Sequence, residues 1–213
     1  MTSSPALRQV ADTGVAPAGG GGRRFYDPAS SAWLVKVFPG EFYVANKDDE
    51  ILVTILGSCV SACIRDPIAG IGGMNHFMLA QGREGGWGDD ARSTRYGNFA
   101  MEKLINELIK AGCSRQSLEI KLFGGGNVTD TRNLIGTQNA DFVRNYLKSE
   151  GLQWVAEDLG GPYPRRIQYD PQTGKVVRRL LNRTESAGVA KEESDYATTL
   201  SGRKVAGEVE LFK

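Results

Sequence analysis

Apolar residues along this chain occur in short runs of strand length and, elsewhere, at helical spacing. Strands are predicted over residues 42–45 and 51–56, and two longer apolar runs follow over residues 60–65 and 71–79. The last two runs flank Asp66-Pro67-Ile68-Ala69-Gly70, a composition typical of a tight turn. The pattern therefore predicts a β-hairpin in the middle of the chain.

Two stretches have the periodicity of amphipathic helices. Residues 96–111 place apolar side chains at i, i+3, i+4, i+7 and i+8, and Gly112 provides a stop; residues 139–149 form the second predicted helix. Further strands are predicted over residues 118–123, 167–169 and 176–181. Because strands outnumber helices and tight turns join several of them, we predict an α+β domain whose sheets are covered by helices.

The two ends of the chain are polar and show no clear periodicity. Residues 1–30 are rich in Ser, Ala, Pro and Gly, which predicts a disordered N-terminal tail. The folded domain is predicted over residues 31–182. Residues 183–213 are predicted to be a loose polar arm, whose last apolar residues, Val209, Leu211 and Phe212, can dock back on the core.

Composition excludes several classes of function. The 26 basic and 25 acidic residues nearly cancel, so there is no electrostatic reason to expect nucleic acid or an anionic membrane as a partner. No apolar run approaches the roughly 20 residues of a membrane helix, and the first residues lack the apolar stretch of a secretory signal. The chain is therefore predicted to be cytoplasmic and not inserted in a membrane, and its 3 cysteines are predicted to be thiols.

The candidate chemistry centres on one cysteine and on the only histidine. Cys59 follows Gly57-Ser58 at the end of a predicted strand, where small residues let the backbone bend. The backbone N–H groups of Ser58 and Cys59 are then free to face a substrate oxygen and form an oxyanion hole. Because a thiol attacks as its thiolate, it needs a nearby base, and His76 is the one imidazole available.

The register of the predicted hairpin decides how close these two residues come. If Pro67 and Ile68 are the central turn residues, Cys59 lies directly opposite His76, with Cβ atoms about 4.5–5.5 Å apart. A longer loop that ends at Gly70 makes the pair diagonal on the same face, whereas a single bulge would place the two side chains on opposite faces.

Structural roles compete with catalysis for these residues. A cysteine in an apolar run is commonly a small buried side chain, and a lone histidine is commonly a hydrogen-bonded core residue. A zinc site built from the three cysteines and His76 is disfavoured, because the Cys59-x3-Cys63 spacing is not the common short ligand spacing. Strand geometry separates Cys59 and Cys63 by about 13 Å, too far for a disulfide. Cys63 and Cys113 are therefore predicted to be packing residues.

A glycine run, Gly124-Gly125-Gly126, precedes Asn127. It lacks the Lys-Ser/Thr that completes a phosphate-binding loop, so nucleotide binding is not expected. The run instead predicts a loop in which two stretches of backbone approach closely.

An ordered series of motifs across residues 40–181 resembles the chemoreceptor glutamine deamidases of the CheD family. The motifs are T-I-L-G-S-C-V at 54–60, the Asp-Pro turn, G-G-M-N-H-F-M-L at 72–79, R-Y-G-N-F-A-M-E-K-L at 95–104, L-F-G-G-G at 122–126, A-E-D-L-G-G at 156–161, P-R-R-I at 164–167 and D-P-Q-T-G at 170–174. Single motifs of this kind are weak, but their order and spacing together are highly specific.

The resemblance implies that selected glutamine side chains of methyl-accepting chemotaxis receptors are hydrolysed to glutamate, with release of ammonia, as part of chemotaxis signalling and adaptation. It implies a Cys–His thioester mechanism, carried here onto Cys59 and His76, with Thr54 as the third member that orients the histidine. It also implies a β-sandwich flanked by helices, in α/β/β/α layers, as in the cytotoxic necrotizing factor-type deamidases. No cofactor or metal is expected.

The resemblance also defines the expected partners. The substrate is the cytoplasmic helical domain of chemoreceptors. A second hypothesis is a regulatory partnership with a CheC-type chemotaxis phosphatase, in which binding rather than catalysis is the main role. A third, a cysteine protease, would cleave peptide bonds instead of converting an amide to an acid.

Overall fold

In the computed structural model, residues 23–45, 47–79, 91–128 and 134–202 are described, and they form two five-stranded β-sheets and three α-helices. In spatial order, the first sheet contains β1 (Arg23–Asp27), β2 (Ala32–Lys36), β4 (Glu50–Leu56), β9 (Arg165–Tyr169) and β10 (Val176–Leu180). The second sheet contains β3 (Phe42–Val44), β6 (Ile71–Asn75), β5 (Val60–Asp66), β7 (Glu119–Gly124) and β8 (Ala156–Leu159). The helices are α1 (Ala91–Lys110), α2 (Ile135–Ser149) and α3 (Arg183–Gly202), with a 3₁₀ helix over Arg115–Ser117.

Two apolar cores hold these layers together. The inner core lies between the two sheets and contains buried residues of both, Val35, Val37, Tyr43, Ala45, Leu52, Leu56, Cys59, Cys63, Met74, Met78, Phe123, Ile167 and Tyr169. The helix-side core lies where α1 and α2 cover the second sheet. Its main residues are Phe42, Val60, Ala62, Ile64, Phe77, Met101, Leu104, Ile105, Leu108, Ile120, Leu122, Val143, Tyr146 and Leu147. The predicted α+β class is therefore confirmed.

The predicted hairpin is present as β5 and β6, and its register places Cys63 opposite Met74 and Asp66 opposite Ile71. This is the register of the longer loop, so the prediction that Cys59 directly opposes His76 is wrong and the diagonal arrangement is correct. The loop ends at Gly70, whose φ of 68° lies in the left-handed region that glycine adopts without strain. The Gly70 N–H donates to the Asp66 carbonyl at 2.9 Å and closes the turn.

At the N-terminal end, the predicted tail extends to residue 30, whereas β1 is an ordered edge strand paired with β2. Aromatic contacts explain the pairing: Tyr26 and Trp33 meet edge to face, and the Arg24 guanidinium lies 4.4 Å from the centroid of a Trp33 ring. The predicted disorder of residues 1–22 lies outside the described residues.

At the C-terminal end, the predicted loose arm is instead the 20-residue helix α3 as far as Gly202. Its start is a capping box: the Glu185 N–H donates to Asn182 Oδ1 at 3.0 Å, and the Asn182 N–H donates to Glu185 Oε2 at 3.1 Å. The predicted docking of Val209, Leu211 and Phe212 falls on residues that are not described. Among the described residues, no helix combines the length and the apolar character needed to cross a membrane.

Candidate active site

The segment Gly57–Cys59, the crossover, is the connection by which the chain leaves one sheet and enters the other. It follows β4 of the first sheet and precedes β5 of the second, so its three residues lie between two hydrogen-bonded ladders. Their N–H groups are consequently available to a side chain or a ligand, which is the property predicted for Ser58 and Cys59.

The glycine loop after β7 supports this crossover through its backbone. The Gly125 N–H donates to the Cys59 carbonyl at 2.7 Å, and the Gly126 N–H donates to the Gly57 carbonyl at 2.8 Å. Gly124 has a φ of 107°, and a Cβ there would lie 2.1 Å from the Cys59 carbonyl oxygen. The prediction of a close backbone approach is therefore confirmed, and the loop positions the segment that contains Cys59.

A buried amide on α2 also holds the crossover, and the sequence pattern did not identify it. Asn139 Nδ2 donates to the Ser58 carbonyl at 2.8 Å, and its Oδ1 accepts the Leu79 N–H at 2.9 Å. One side chain thus connects the segment that contains Cys59 to the segment that follows His76. Its position on a helix beside apolar residues gave no sign of this role.

His76 lies just beyond β6, and its backbone is held on both sides. The Gly40 N–H donates to the His76 carbonyl at 2.7 Å, and the His76 N–H donates to the Glu41 carbonyl at 2.9 Å. The ring is held by Thr54, whose Oγ1 lies 2.8 Å from His76 Nδ1 and also 2.8 Å from the Val37 carbonyl.

These contacts determine which ring nitrogen carries the proton. A hydroxyl has one hydrogen to donate, and the Val37 carbonyl can only accept it. Thr54 Oγ1 therefore accepts a hydrogen from His76 Nδ1–H, and Nε2 of the neutral ring keeps its lone pair. Nε2 is buried and has no hydrogen-bond partner among the described residues.

The sulfur and the imidazole lie close together beside the inner core. Cys59 Sγ, a ring nitrogen of His76 and a carboxylate oxygen of Glu193 all lie within 4.8 Å of one another. Cys59 is 0% exposed and His76 is 2% exposed. The structure therefore brings together Cys59, His76 and Thr54, the three side chains predicted for the site.

Burial sets the charge of both groups. It raises the pKa of the Cys59 thiol well above the usual range, and the negative charge of Glu193 raises it further. Burial also lowers the pKa of His76 to about 4, against an opposing effect of Glu193. In this structure, Cys59 is therefore a neutral thiol and His76 is a neutral imidazole.

Glu193 is the residue of the site that the sequence pattern missed. It lies on α3, and its carboxylate accepts from three consecutive backbone N–H groups and a hydroxyl. Oε1 lies 2.9 Å from Gly57 N and 3.0 Å from Cys59 N; Oε2 lies 2.7 Å from Ser58 N and 2.7 Å from Ser58 Oγ. No local signal could indicate this contact, because 134 residues separate Glu193 from Cys59 along the chain.

Cys59, His76 and Glu193 are also a donor set that could hold a metal ion. The hydrogen bonds argue against that role, because a carboxylate offers about four lone-pair positions and four donors already occupy them. A metal would retain only the sulfur and one nitrogen unless Glu193 left the crossover. The other cysteines do not complete a set: Cys63 lies in the inner core, Cys113 in the helix-side core, and all three are free thiols.

Comparison with known proteins gives a consistent result. A family model described as "CheD chemotactic sensory transduction" matches residues 78–180. A protein of Rhodopseudomonas palustris named "Probable chemoreceptor glutamine deamidase CheD" is 54% identical over 190 residues, which are 89% of this chain and 89% of that protein. A protein of Hahella chejuensis with the same name is 47% identical and covers 89% of this chain and 90% of its own length.

Solved structures are much less similar. A crystal structure of the hypothetical protein YfiH from Bacillus licheniformis is 11% identical, with a TM-score of 0.38, and the match covers 56% of this chain and 51% of that one.

Proposed function

This chain belongs to the CheD family of chemoreceptor glutamine deamidases, and from that premise we propose that Cys59 is the nucleophile, His76 the base and Thr54 the residue that orients it. The enzyme is a hydrolase that acts on amides, and its substrate is the glutamine side chain of a chemotaxis receptor. The observation that supports the residue assignment is the chain of contacts from Val37 through Thr54 to His76, which leaves Nε2 unprotonated in a ring that has a nitrogen within 4.8 Å of the Cys59 sulfur.

The first half of the reaction forms a thioester. His76 Nε2 takes the proton of Cys59, and the sulfur attacks the carboxamide carbon of the glutamine. The negative charge that develops on the amide oxygen is stabilised by the backbone N–H groups of Ser58 and Cys59, and the adjacent Gly57 N–H faces the same position. The imidazolium of His76 then protonates the departing nitrogen, which leaves as ammonia.

The second half returns the enzyme to its starting state. His76 takes a proton from water, the resulting hydroxide attacks the thioester carbon, and the Cys59 thiolate is the leaving group. The sulfur recovers its proton from the imidazolium, and a glutamate side chain is released. The net change is one water consumed and one ammonia produced, with no redox step and no cofactor.

The burial of the pair explains why proton transfer accompanies substrate binding. A free thiolate is disfavoured in the dry inner core, because burial raises the pKa of Cys59 and lowers that of His76. When an amide oxygen lies against the crossover N–H groups, those groups stabilise the negative charge as it moves from the sulfur to that oxygen. We therefore expect the thiolate to form as it attacks and not before.

The assignment is tested with Cys59→Ser and His76→Ala on a receptor cytoplasmic fragment, with each glutamine followed by mass spectrometry and ammonia release measured in parallel. Both variants should lose deamidation while their circular dichroism spectra remain native. Cys63→Ser is the matched control, because Cys63 is a buried thiol of the same core with no proposed role. Normal turnover by either site variant would contradict the assignment.

We also propose a cytoplasmic location for the enzyme, because the helical domain of its receptor substrate lies there. We also propose the layered arrangement of the cytotoxic necrotizing factor-type deamidases for this chain, supported by the two facing sheets and by the helices that cover the second one. A regulatory partnership with a CheC-type phosphatase stays a prediction. Binding of such a phosphatase to Cys59→Ser would support it as an additional role.

A further inference from the structure

Glu193 is an unusual neighbour for a nucleophilic cysteine. It is 6% exposed, although carboxylates are rarely buried without a cationic partner. Among the residues that the structure describes, no lysine or arginine forms an ion pair with it. Its charge is instead met by the N–H groups of the crossover, the same groups that the proposed mechanism uses for the oxyanion.

The carboxylate also occupies the space that the reacting carbon requires. One of its oxygens lies within 4.8 Å of both the Cys59 sulfur and a His76 nitrogen. A Cβ at Gly57 would lie 2.7 Å from Glu193 Oε2 and 3.0 Å from its carboxyl carbon. The absence of a side chain at Gly57 is therefore what makes room for a carboxyl or carboxamide group at this position.

The rest of α3 is anchored around this contact. Val189, Glu193 and Leu200 are buried at helical spacing on one side of α3. Tyr196 and Ala197 pack against the inner core, and the Tyr196 hydroxyl forms a hydrogen bond with the hydroxyl of Tyr96 on α1. The chain thus presents a glutamate to its own site from a packed helix.

Glutamate on a helix is also the chemical product of the proposed reaction. We propose that α3 occupies the groove in which the substrate helix binds, and that Glu193 lies where the product glutamate lies before release. This inference rests on the proposed function and adds to it the docking surface and the direction from which the side chain enters. The receptor helix must displace α3, which competes from within the same chain at high effective concentration.

The inference predicts that the chain can act on itself once the acid is replaced by its amide. In full-length Glu193→Gln, the introduced carboxamide lies against the crossover N–H groups with its carbon beside the sulfur. Cys59 attacks that carbon, ammonia leaves with a proton from His76, and water hydrolyses the thioester. The side chain at position 193 then returns to the acid. No co-reactant other than water is needed.

The experiment compares purified full-length Glu193→Gln with Glu192→Gln by mass spectrometry of the peptide that contains both positions. Glu192 is the matched control, because it is exposed and adjacent on the same helix. The amide at position 193 should be converted to the acid and the amide at position 192 should persist. The double variant Cys59→Ser with Glu193→Gln should keep its amide, which excludes host enzymes and spontaneous hydrolysis.

Assaying the same Glu193→Gln preparation on a receptor fragment tests the placement of α3 separately from the proposed function. An amide that persists at position 193 while the receptor fragment is deamidated would overturn the placement of α3 in the substrate groove. Failure of a natively folded preparation in both assays would overturn the proposed function together with this inference.

A second measurement tests the competition directly. Full-length Glu193→Ala should lower the KM for a receptor fragment by at least about threefold, because the anchor of the competing helix is lost. Glu192→Ala should match the wild-type protein. Equal KM values for Glu193→Ala and the wild-type protein would overturn the inference.

Discussion

At the scale of single residues, the site depends on hydrogen bonds that can be satisfied in only one way. The Val37 carbonyl can only accept, so the hydroxyl of Thr54 donates to it and accepts from His76. A strand threonine would ordinarily be explained by packing. Here its hydroxyl lies 2.8 Å from Nδ1, and by accepting the Nδ1 hydrogen it favours the tautomer in which Nε2 is unprotonated.

Thr54→Val should therefore lower kcat on a receptor fragment by at least about tenfold, because the isosteric methyl group cannot accept the Nδ1 hydrogen. Thr54→Ser retains the hydroxyl and should recover most of the activity. Equal rates for Thr54→Val and wild type would show that the Val37 carbonyl alone orients the ring.

His76 also makes stability depend on pH. Burial lowers the pKa of His76 to about 4 in the folded chain, against 6.5 in the unfolded chain. Between these values the unfolded state binds more protons, so the free energy of unfolding falls as pH decreases through this window. Urea unfolding followed by circular dichroism should show a steeper loss from pH 7 to pH 4 for wild type than for His76→Gln. Parallel curves would contradict a neutral buried imidazole.

At the scale of elements, the crossover between β4 and β5 serves as both a structural joint and a binding surface. Its carbonyls accept hydrogen bonds from the glycine loop and from Asn139, and these bonds fix the backbone on that side. Its N–H groups are thereby directed to the opposite side, where the carboxylate of α3 lies. Because the carbonyls are held on one side, the N–H groups of Gly57, Ser58 and Cys59 are available as donors on the other.

Gly57→Ala tests that surface without changing any hydrogen-bonding group. Gly57 does not have a positive φ, so the backbone accepts alanine, but the new Cβ intrudes on the position of the carboxyl group. We expect kcat/KM on a receptor fragment to fall by at least about tenfold, while the circular dichroism spectrum stays native. Full activity would show that the reacting group lies elsewhere.

Local patterns predicted most of the elements that bury apolar side chains, although β2, which buries Leu34 and Val35, was missed. The hairpin of β5 and β6, helix α2 and the glycine loop follow from runs, spacing and turn residues near one another in the chain. Strand β8 was missed because its residues are largely exposed, and β1 because its pairing depends on Trp33 and Arg24. Helix α3 was missed because its buried side includes a glutamate, which a hydrophobic pattern counts as a polar surface position.

At the scale of the whole molecule, the site belongs to no single layer. Thr54 lies in the first sheet, His76 follows a strand of the second, and Cys59 lies on the connection between them. The sequence motifs could predict that Thr54, Cys59 and His76 come together, but not how deeply they are buried. That depth results from the packing of two sheets and α3, which are far apart in sequence.

Activity should consequently be lost together with the fold. In a urea titration, the loss of deamidation and the loss of circular dichroism are expected to have the same midpoint, because separating the sheets separates the sulfur from the imidazole. Loss of activity at clearly lower urea would show that the crossover opens locally while the two sheets remain packed.

The complete burial of Cys59 has a chemical consequence beyond turnover. Peroxide oxidises thiolates that solvent can reach, first to sulfenic acid and then to irreversible states. In this structure Cys59 is a neutral thiol, is 0% exposed and lies beside the buried carboxylate of Glu193. We expect a thiol stored in this way to resist oxidative damage until a substrate helix displaces α3.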